Sequence, residues 1–507
     1  MNPLTNSLNS SLYSQDTICA VATAPGGAIG IIRVSGPNAI CATDNIFKGF
    51  NGKSLKEQAA YRLSFGNIVG QQGEVIDEVL VSLFRAPHSY TGEESTEISC
   101  HGSHYILSQV MQLLLQQGCR TAAPGEFTQR AFLNGKIDLS QAEAVADLIA
   151  STSEANHRLA INQLKGGFGK ELKRLRDELL HLTSLIELEL DFSDHEDLEF
   201  ADRSELHTLS EQIEQVIARL WKSFRVGNAI KNGTPVAIVG ETNTGKSTLL
   251  NTLLKEDKAI VSDIHGTTRD VIEDTLNING HLFRFIDTAG IRQTDDVIEN
   301  IGIEKTFEKI EQASIVLWLI DATLPHSPEE LKEDILSRCQ DKQTIVLLNK
   351  CDLLSTEEQD SIVQSLQALA LPVHCISAKA VQNINELEEL LTQAAALPQI
   401  SASDIIVTNA RHYEALCQAH SAIKRVIEGL QLNLSGDFIS QDLRETIYHL
   451  SDIVGEVSTD SVLQNIFKHF CIGKWFVINN CNYLESTIRK SLNFSGFFVI
   501  HIPDKSG

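Results

Sequence analysis

Gly240-Glu-Thr-Asn-Thr-Gly-Lys-Ser-Thr248, GETNTGKST, decides how this chain folds around its ligand. It fits GxxxxGK[ST]. It follows a short apolar run, VAIV (236–239), and precedes TLLNTLL (248–254), whose apolar spacing is helical. Strand, glycine-rich loop and helix in that order make a phosphate cradle. The glycines let backbone N–H groups close around an anion, and the helix N-terminus favours its charge. Asn243, Thr244, Gly245, Lys246, Ser247 and Thr248 then face the nucleotide. Lys246 reaches the β- and γ-phosphates, and Ser247 holds Mg²⁺.

Four further motifs lie downstream in a fixed order. Gly266-Thr267-Thr268-Arg-Asp270 occupies the place of a switch loop, where Thr268 supplies a second Mg²⁺ ligand. Asp287-Thr288-Ala289-Gly290 follows the strand-like FRFI; its Asp suits the metal side and its Gly a γ-phosphate sensor. Asn349-Lys350-Cys351-Asp352 follows TIVLL. A carboxylate at Asp352 can accept from guanine N1–H and N2–H₂, a donor pair that adenine lacks, so the site selects GTP. Ser377-Ala378-Lys379 follows VHCI, where a backbone N–H can read guanine O6. Each motif lies at or just beyond the C-terminal end of a candidate strand, where open α/β sheets bind ligands. The apolar runs between them suit strands buried on both faces of a mostly parallel sheet. Ile291 stands where Ras-like GTPases carry a water-orienting Gln, so another group must do that work; Asp295, Asp296 and Glu299 are the nearby acids. A bound monovalent cation is one source of the missing positive charge, with Asn243 offering a side-chain carbonyl and the loop 259–268 backbone oxygens.

Outward from this unit the chain changes character. Residues 17–100 read as strand-rich, and Leu139 to Ile230 as helical. KNGTP (231–235) reads as a linker, and helix returns over 409–470, with Tyr413, Leu416, Ile423, Val426, Ile427 and Leu430 on one stripe. The economical arrangement is one helical bundle interrupted by an inserted α/β unit. The 507 residues suit about three domains, and 42% hydrophobic content excludes wholesale disorder. A formal charge of −24 excludes a simple basic nucleic-acid coat, so any RNA contact must come from a local patch or a partner. No stretch has the roughly 20 apolar residues of a membrane span, the first residues carry no apolar signal core, and the ten cysteines form no CxxC pairs. The expectation is a soluble cytoplasmic protein with reduced thiols and no membrane contact.

Read as a whole, the sequence resembles the MnmE (TrmE) family of tRNA-modification GTPases from about Asp16 to Lys474. The resemblance is carried by DTICAVATAPGGAIGIIRVSG (16–36), YTGEESTEISCHG (90–102), PGEFTQRAFLNGKIDLSQAEAVADLI (124–149), IVSDIHGTTRDV (260–271), DTAGIRQTDDVIENIGIEK (287–305) and GEVSTDSVLQNIFKHFCIGK (455–474). It implies a multidomain α/β + α fold: a folate-binding-like α+β N-terminal domain that also dimerises (1–134), a helical bundle in two parts (135–230 and 398–474), and an inserted Ras-like P-loop GTPase domain (231–397). It implies a homodimer that acts with the flavoprotein MnmG on tRNA. Together they install an aminomethyl or carboxymethylaminomethyl group on C5 of the wobble uridine U34. The one-carbon unit comes from 5-formyl- or 5,10-methylene-tetrahydrofolate, and FAD enters only through the partner. GTP hydrolysis is K⁺-activated and Mg²⁺-dependent.

Residue by residue, the resemblance places folate on Arg33, Glu97, Lys136 and Lys474, and K⁺ on Asn243, Ser262, Ile264 and Thr267. Mg²⁺ falls to Ser247 and Thr268. Asp263, His265 and Gly266 complete the nucleotide loop, and Glu299 takes the catalytic acid's role beside Lys246. Cys471 reads either as a reactive thiolate or, better, as a small buried hydrophobe. Residues 475–507 lie beyond the resemblance, hold six aromatics and carry no motif. The acidic segment Glu187–Glu199 lacks a metal-binding spacing and reads as a solvated face. Two other functions compete: an rRNA-binding GTPase of ribosome assembly, for which no basic domain is visible, and a folate-binding regulator with a vestigial GTPase, against which the intact motifs weigh.

Overall fold

The computed structural model describes residues 16–24, 26–191, 203–256, 274–286, 310–325, 339, 342–366, 371–395, 405–457, 463 and 466–467. These fall into two compact units, Met1–Asp138 with Ser458–Gly507, and Leu139–Val457.

The first unit is built on a seven-stranded sheet of order β3-β4-β5-β6-β2-β1-β7. Its strands are β1 (Ile18–Val21), β2 (Ile29–Ser35), β3 (Phe47–Gly49), β4 (Leu63–Val69), β5 (Val75–Phe84), β6 (Ser95–His101) and β7 (Arg120–Thr121). All neighbours are antiparallel except β1 and β7. β5 alternates between buried and outward positions, as a half-buried antiparallel strand does. Helices α1 (Ala39–Ile46) and α2 (His104–Gln116) cover one face, where Ile32, Val34, Val81, Leu83, Ile98, Val110 and Leu114 form the core. Helix α3 (Glu126–Leu133) packs Phe127 on Ile18 and Ala20. Within the same unit the Phe467 ring lies 6.4 Å from that of Phe132. A carboxylate–guanidinium network anchors α3: the buried Arg130 donates to Asp16 and Glu126 at 2.9 and 3.0 Å and approaches Glu93 at 3.2 Å.

The second unit holds the split bundle and its insertion. The helical run from Leu139 divides into α4 (Leu139–Ala150), α5 (Glu154–Leu164), α6 (Gly167–Asp191) and α7 (Arg203–Asn232). The first break falls at Ser153, whose hydroxyl accepts the Asn156 N–H and caps α5. After the insertion come α11 (Ala410–Gln431) and α12 (Gly436–Val454), so the described part of the helical run from 409 divides at residues 432–435. One core joins both sides of the insertion: Leu172, Leu175, Leu179 and Leu182 of α6 and Ile213, Ile217 and Leu220 of α7 pack with Leu416, Ile423 and Val426 of α11 and Leu443 and Leu450 of α12. Among the described residues no helix is long and apolar enough to cross a membrane.

The inserted sheet has six strands in the order β13-β12-β11-β8-β10-β9. They are β8 (Thr234–Val239), β9 (Asp274–Ile278), β10 (His281–Phe285), β11 (Ile315–Asp321), β12 (Gln343–Asn349) and β13 (Val373–Cys375). Every pairing is parallel except β9 with β10. Every residue of β11 is buried, as expected of a strand covered on both faces. The described helices around this sheet are α8 (Lys246–Glu256), α9 (Thr356–Leu366) and α10 (Ile384–Ala395).

KNGTP is not a linker. Helix α7 runs through Asn232, Gly233 alone intervenes at φ +85°, and β8 starts at Thr234. Pro235 is tolerated because it sits second in β8, before the ladder with β11 opens at Val236.

Candidate functional site

The phosphate loop leaves β8 at Val239 and enters α8 at Lys246. Gly240 has φ +151°, and a Cβ there would come within 2.2 Å of the Leu319 carbonyl oxygen of β11, so only glycine lets the two backbones pass. Gly245 has φ +98°, and its missing side chain leaves room for the Asn349 amide, which a Cβ would meet at 2.3 Å. Asn243 also takes a positive φ of 63°. Inside the turn the Lys246 ammonium donates to the carbonyls of Gly240 and Glu241 at 2.9 and 2.5 Å, and the Thr244 hydroxyl donates to Glu241 at 2.9 Å. Ser247 and Thr248 occupy the first turn of α8.

The base-reading loops are tied to this cradle by one side chain. Asn349, the last residue of β12, is 3% exposed. Its Nδ2 donates to the Thr244 carbonyl at 2.7 Å, and its Oδ1 accepts the Ala378 N–H at 3.0 Å. Three loops from three strands are thereby held by two hydrogen bonds. Asp352 follows in a short turn, with Oδ1 accepting the Ser377 hydroxyl at 2.6 Å. The same Ser377 oxygen accepts the Ala380 N–H at 3.1 Å, which fixes the turn after β13. The Thr252 hydroxyl of α8 donates to the Ala378 carbonyl at 2.8 Å. Lys379 is exposed at the end of the loop.

Lys350 takes φ +67°, and its ammonium lies 2.5 Å from Asp321 Oδ2. Burial would push the Asp321 carboxyl up, but Lys350 and the Thr323 donors hold it below the ordinary value. Asp321 was not singled out in the sequence; the available signal was a carboxylate ending a wholly apolar strand, SIVLWLID.

The phosphate loop, Asn349-Lys350-Cys351-Asp352 and Ser377-Ala378-Lys379 are therefore brought together. Ser262, Asp263, Ile264, His265, Gly266, Thr267, Thr268, Asp287, Thr288, Ala289, Gly290 and Glu299 lie outside the described residues, as do Lys474 and Cys471.

In the first unit β2 and β6 pair Arg33 with Glu97 in register. The guanidinium donates through Nε to Glu97 Oε1 at 2.8 Å and lies 5.6 Å from the ring centres of Tyr90 and Phe127. Its Nη1 is buried and has no hydrogen-bond partner among the described residues. A buried guanidinium nitrogen with an open valence fits an anionic or carbonyl-bearing ligand. Lys136 sits beyond α3 and donates to the Pro87 carbonyl at 3.0 Å. The loop 87–92 is thus touched by Lys136 at Pro87 and by Arg33 at Tyr90. Among the described residues no group of three or more His, Cys, Asp or Glu side chains is placed to hold a metal. Of the acidic segment only Glu187 has a described side chain, and it pairs with Arg444.

Comparison with known proteins agrees with this organisation. Residues 17–136 match the family described as GTP-binding protein TrmE N-terminus, and residues 139–471 match the MnmE helical domain. A tRNA modification GTPase MnmE of Bacteroides thetaiotaomicron is 64% identical over 466 residues, covering 91% of this chain and all of the relative. The same-named proteins of Phocaeicola vulgatus and Flavobacterium johnsoniae are 60% and 52% identical, each over 91% of this chain and all of the relative.

Proposed function

The chain belongs to the MnmE (TrmE) family of tRNA modification GTPases, and from that premise we propose that it hydrolyses GTP to drive C5 modification of the tRNA wobble uridine. The observation that carries this is the assembled guanine-nucleotide site. A cradle after β8 and two base-reading loops after β12 and β13 are fastened to one another through Asn349.

In this reading the backbone of residues 243–248 surrounds the phosphates, and Lys246 leaves its two loop carbonyls to meet them. Asp352, oriented by Ser377, accepts from the guanine edge. Ser247 and Thr268 would hold Mg²⁺, which would supply charge compensation for the phosphates. Asn243, Ser262, Ile264 and Thr267 would hold K⁺, which would supply the positive charge that an arginine finger supplies elsewhere. Glu299 orients or activates the attacking water in place of the Gln that Ile291 lacks the chemistry to replace.

The first unit binds the one-carbon folate. Arg33 carries the strongest support: its guanidinium is half-satisfied by Glu97, rests on two aromatic rings and keeps a buried N–H unpaired among the described residues. Lys136 and Lys474 complete the set. The chain acts as a homodimer with an MnmG-type flavoprotein, whose FAD handles the redox step, in the cytoplasm.

The test is genetic and chemical together. In a strain lacking this gene, mass spectrometry of tRNA nucleosides should show wobble uridine without its C5 group. The wild-type gene should restore it and an Asp352→Asn copy should not. Unchanged wobble uridine in the deletion strain would refute the proposal.

A further inference from the structure

The bundle carries a concentration of positive charge that the nucleotide and folate sites do not use. Residues 165–176, KGGFGKELKRLR, hold five cations against the single acid Glu171, in a chain whose formal charge is −24. Residues 219–225, RLWKSFR, hold three cations and no acid. The fold places these two segments side by side. Arg219 of α7 lies 3.7 Å from Glu171 of α6. The antiparallel course of the helices then sets the start of α6 beside the end of α7.

Between the two helices runs a furrow of two adjoining cavities of about 540 and 520 Å³, which share Arg174 and Glu178. Lys170, Lys173, Arg174 and His181 line it from α6, and Gln212, Gln215 and Arg219 from α7. Lys222 follows Arg219 by three residues and continues the same face by almost one turn. Trp221 and Phe224 point the other way, stacked on Tyr413 of α11, so the cations are left on the solvent side.

Acids are present but largely committed. Glu171 and Glu178 hold Arg174 at 3.1 and 2.5 Å, and Asp177 is 3.5 Å from Arg176. Among the described residues, Lys165, Lys170, Lys173, Lys222 and Arg225 are exposed and have no carboxylate partner. Lys170 and Lys173 in the α6 wall, with the exposed Lys222 and Arg225 beyond Arg219 on α7, suit a chain of phosphates better than a protein surface, whose carboxylates are sparser and irregular.

We propose that the cationic end of the α6–α7 furrow is a docking surface for the sugar–phosphate backbone of tRNA. This rests on the tRNA-modifying reading above and supplies what the sequence lacked, a local patch by which so acidic a chain can hold RNA. The contacts are to phosphates, so they position the RNA without reading its sequence.

The experiment uses the full chain and a fluorescently labelled tRNA, with affinity measured by anisotropy across a salt series. Lys170→Glu/Lys173→Glu and, separately, Lys222→Glu/Arg225→Glu should each weaken tRNA binding by about tenfold or more near 0.1 M salt, since each phosphate contact contributes nearly a decade there by counterion release. The neutral pair Lys170→Ala/Lys173→Ala should lower the salt slope by about 2. GTP hydrolysis without tRNA and the thermal transition should stay at wild-type values, and Lys48→Glu/Lys53→Glu, a charge reversal in the first unit, should leave tRNA binding unchanged. Affinity within twofold of wild type for both furrow pairs would overturn the proposal. So would wild-type chain that does not bind tRNA even at low salt, while wobble modification in cells would still stand as its own test. Normal tRNA affinity with lost modification would also overturn it, by moving the furrow's role to a protein partner.

Discussion

Asn349→Ala removes two hydrogen bonds together with the three heavy atoms of a buried carboxamide. The side chain is 3% exposed, and Thr244, whose carbonyl it meets, is 2% exposed. Truncation leaves the Thr244 carbonyl and the Ala378 N–H buried without their present partner. An unsatisfied buried group costs about 1–3 kcal/mol, so the two together cost about 2–6 kcal/mol in loop positioning. If about 3 kcal/mol of that must be restored on ligand binding, GTP affinity falls roughly 10²-fold. Asn349→Asp is the sharper probe. It keeps an acceptor for Ala378 but sets a carboxylate oxygen against the Thr244 carbonyl, in place of a donor now 2.7 Å away. Two acceptors at that distance repel, so the Asp variant should bind GTP more weakly than the Ala variant despite being nearly isosteric with wild type. Fluorescent-GTP titration of the three proteins, with circular dichroism as a check on folding, decides it. An Ala variant within twofold of wild type, or an Asp variant tighter than Ala, would refute the claim that Asn349 fastens the loops.

Three further outcomes are expected. Glu143, on α4, lies 2.5 Å from the His412 ring and 3.0 Å from Arg411 of α11; burial raises its carboxyl, but His412 and Arg411 outweigh that and hold it at about 2. Its unfolded value is higher, so the stability it contributes is present above about pH 4.5 and lost as pH falls towards 2. That stability is about 3 kcal/mol by linkage, and the gap between wild type and Glu143→Gln in urea unfolding should narrow by about 2 kcal/mol between pH 7 and 3. GTP turnover should be strongly faster in KCl than in NaCl at equal ionic strength; equal rates would remove K⁺ from the mechanism. Glu299→Ala should keep GTP binding and cut turnover by roughly 10²-fold or more, and near-normal turnover would exclude Glu299 as the acid.

What was legible in the sequence had local causes. The strand–loop–helix at Gly240–Thr248 follows from adjacent residues, and the continuous apolar runs at 315–320 and 345–348 declare strands covered on both faces. The split bundle was legible because helical periodicity stands on both sides of the insertion. The edge strand β9 was missed because TLNI is short and half polar, and it is held by its antiparallel partner β10. The bond from Glu143 to Arg411 spans 268 residues and that from Arg130 to Asp16 spans 114, so no local pattern could announce either. His412 is wholly buried on the stripe of α11, although a stripe drawn from apolar residues alone omits it. Asn349 was assigned to guanine binding by its motif. That it bonds two other loops is a tertiary fact.

The most direct test of the central claim is hydrolysis of GTP and XTP by the whole chain and by Asp352→Asn. The wild type should turn over GTP and scarcely touch XTP. The variant should lose GTP and gain XTP, because an amide at position 352 can donate to the xanthine C2 oxygen that a carboxylate repels. An unchanged preference for GTP in the variant would mean that Asp352 does not read the base, and the guanine-nucleotide site built on it would fall.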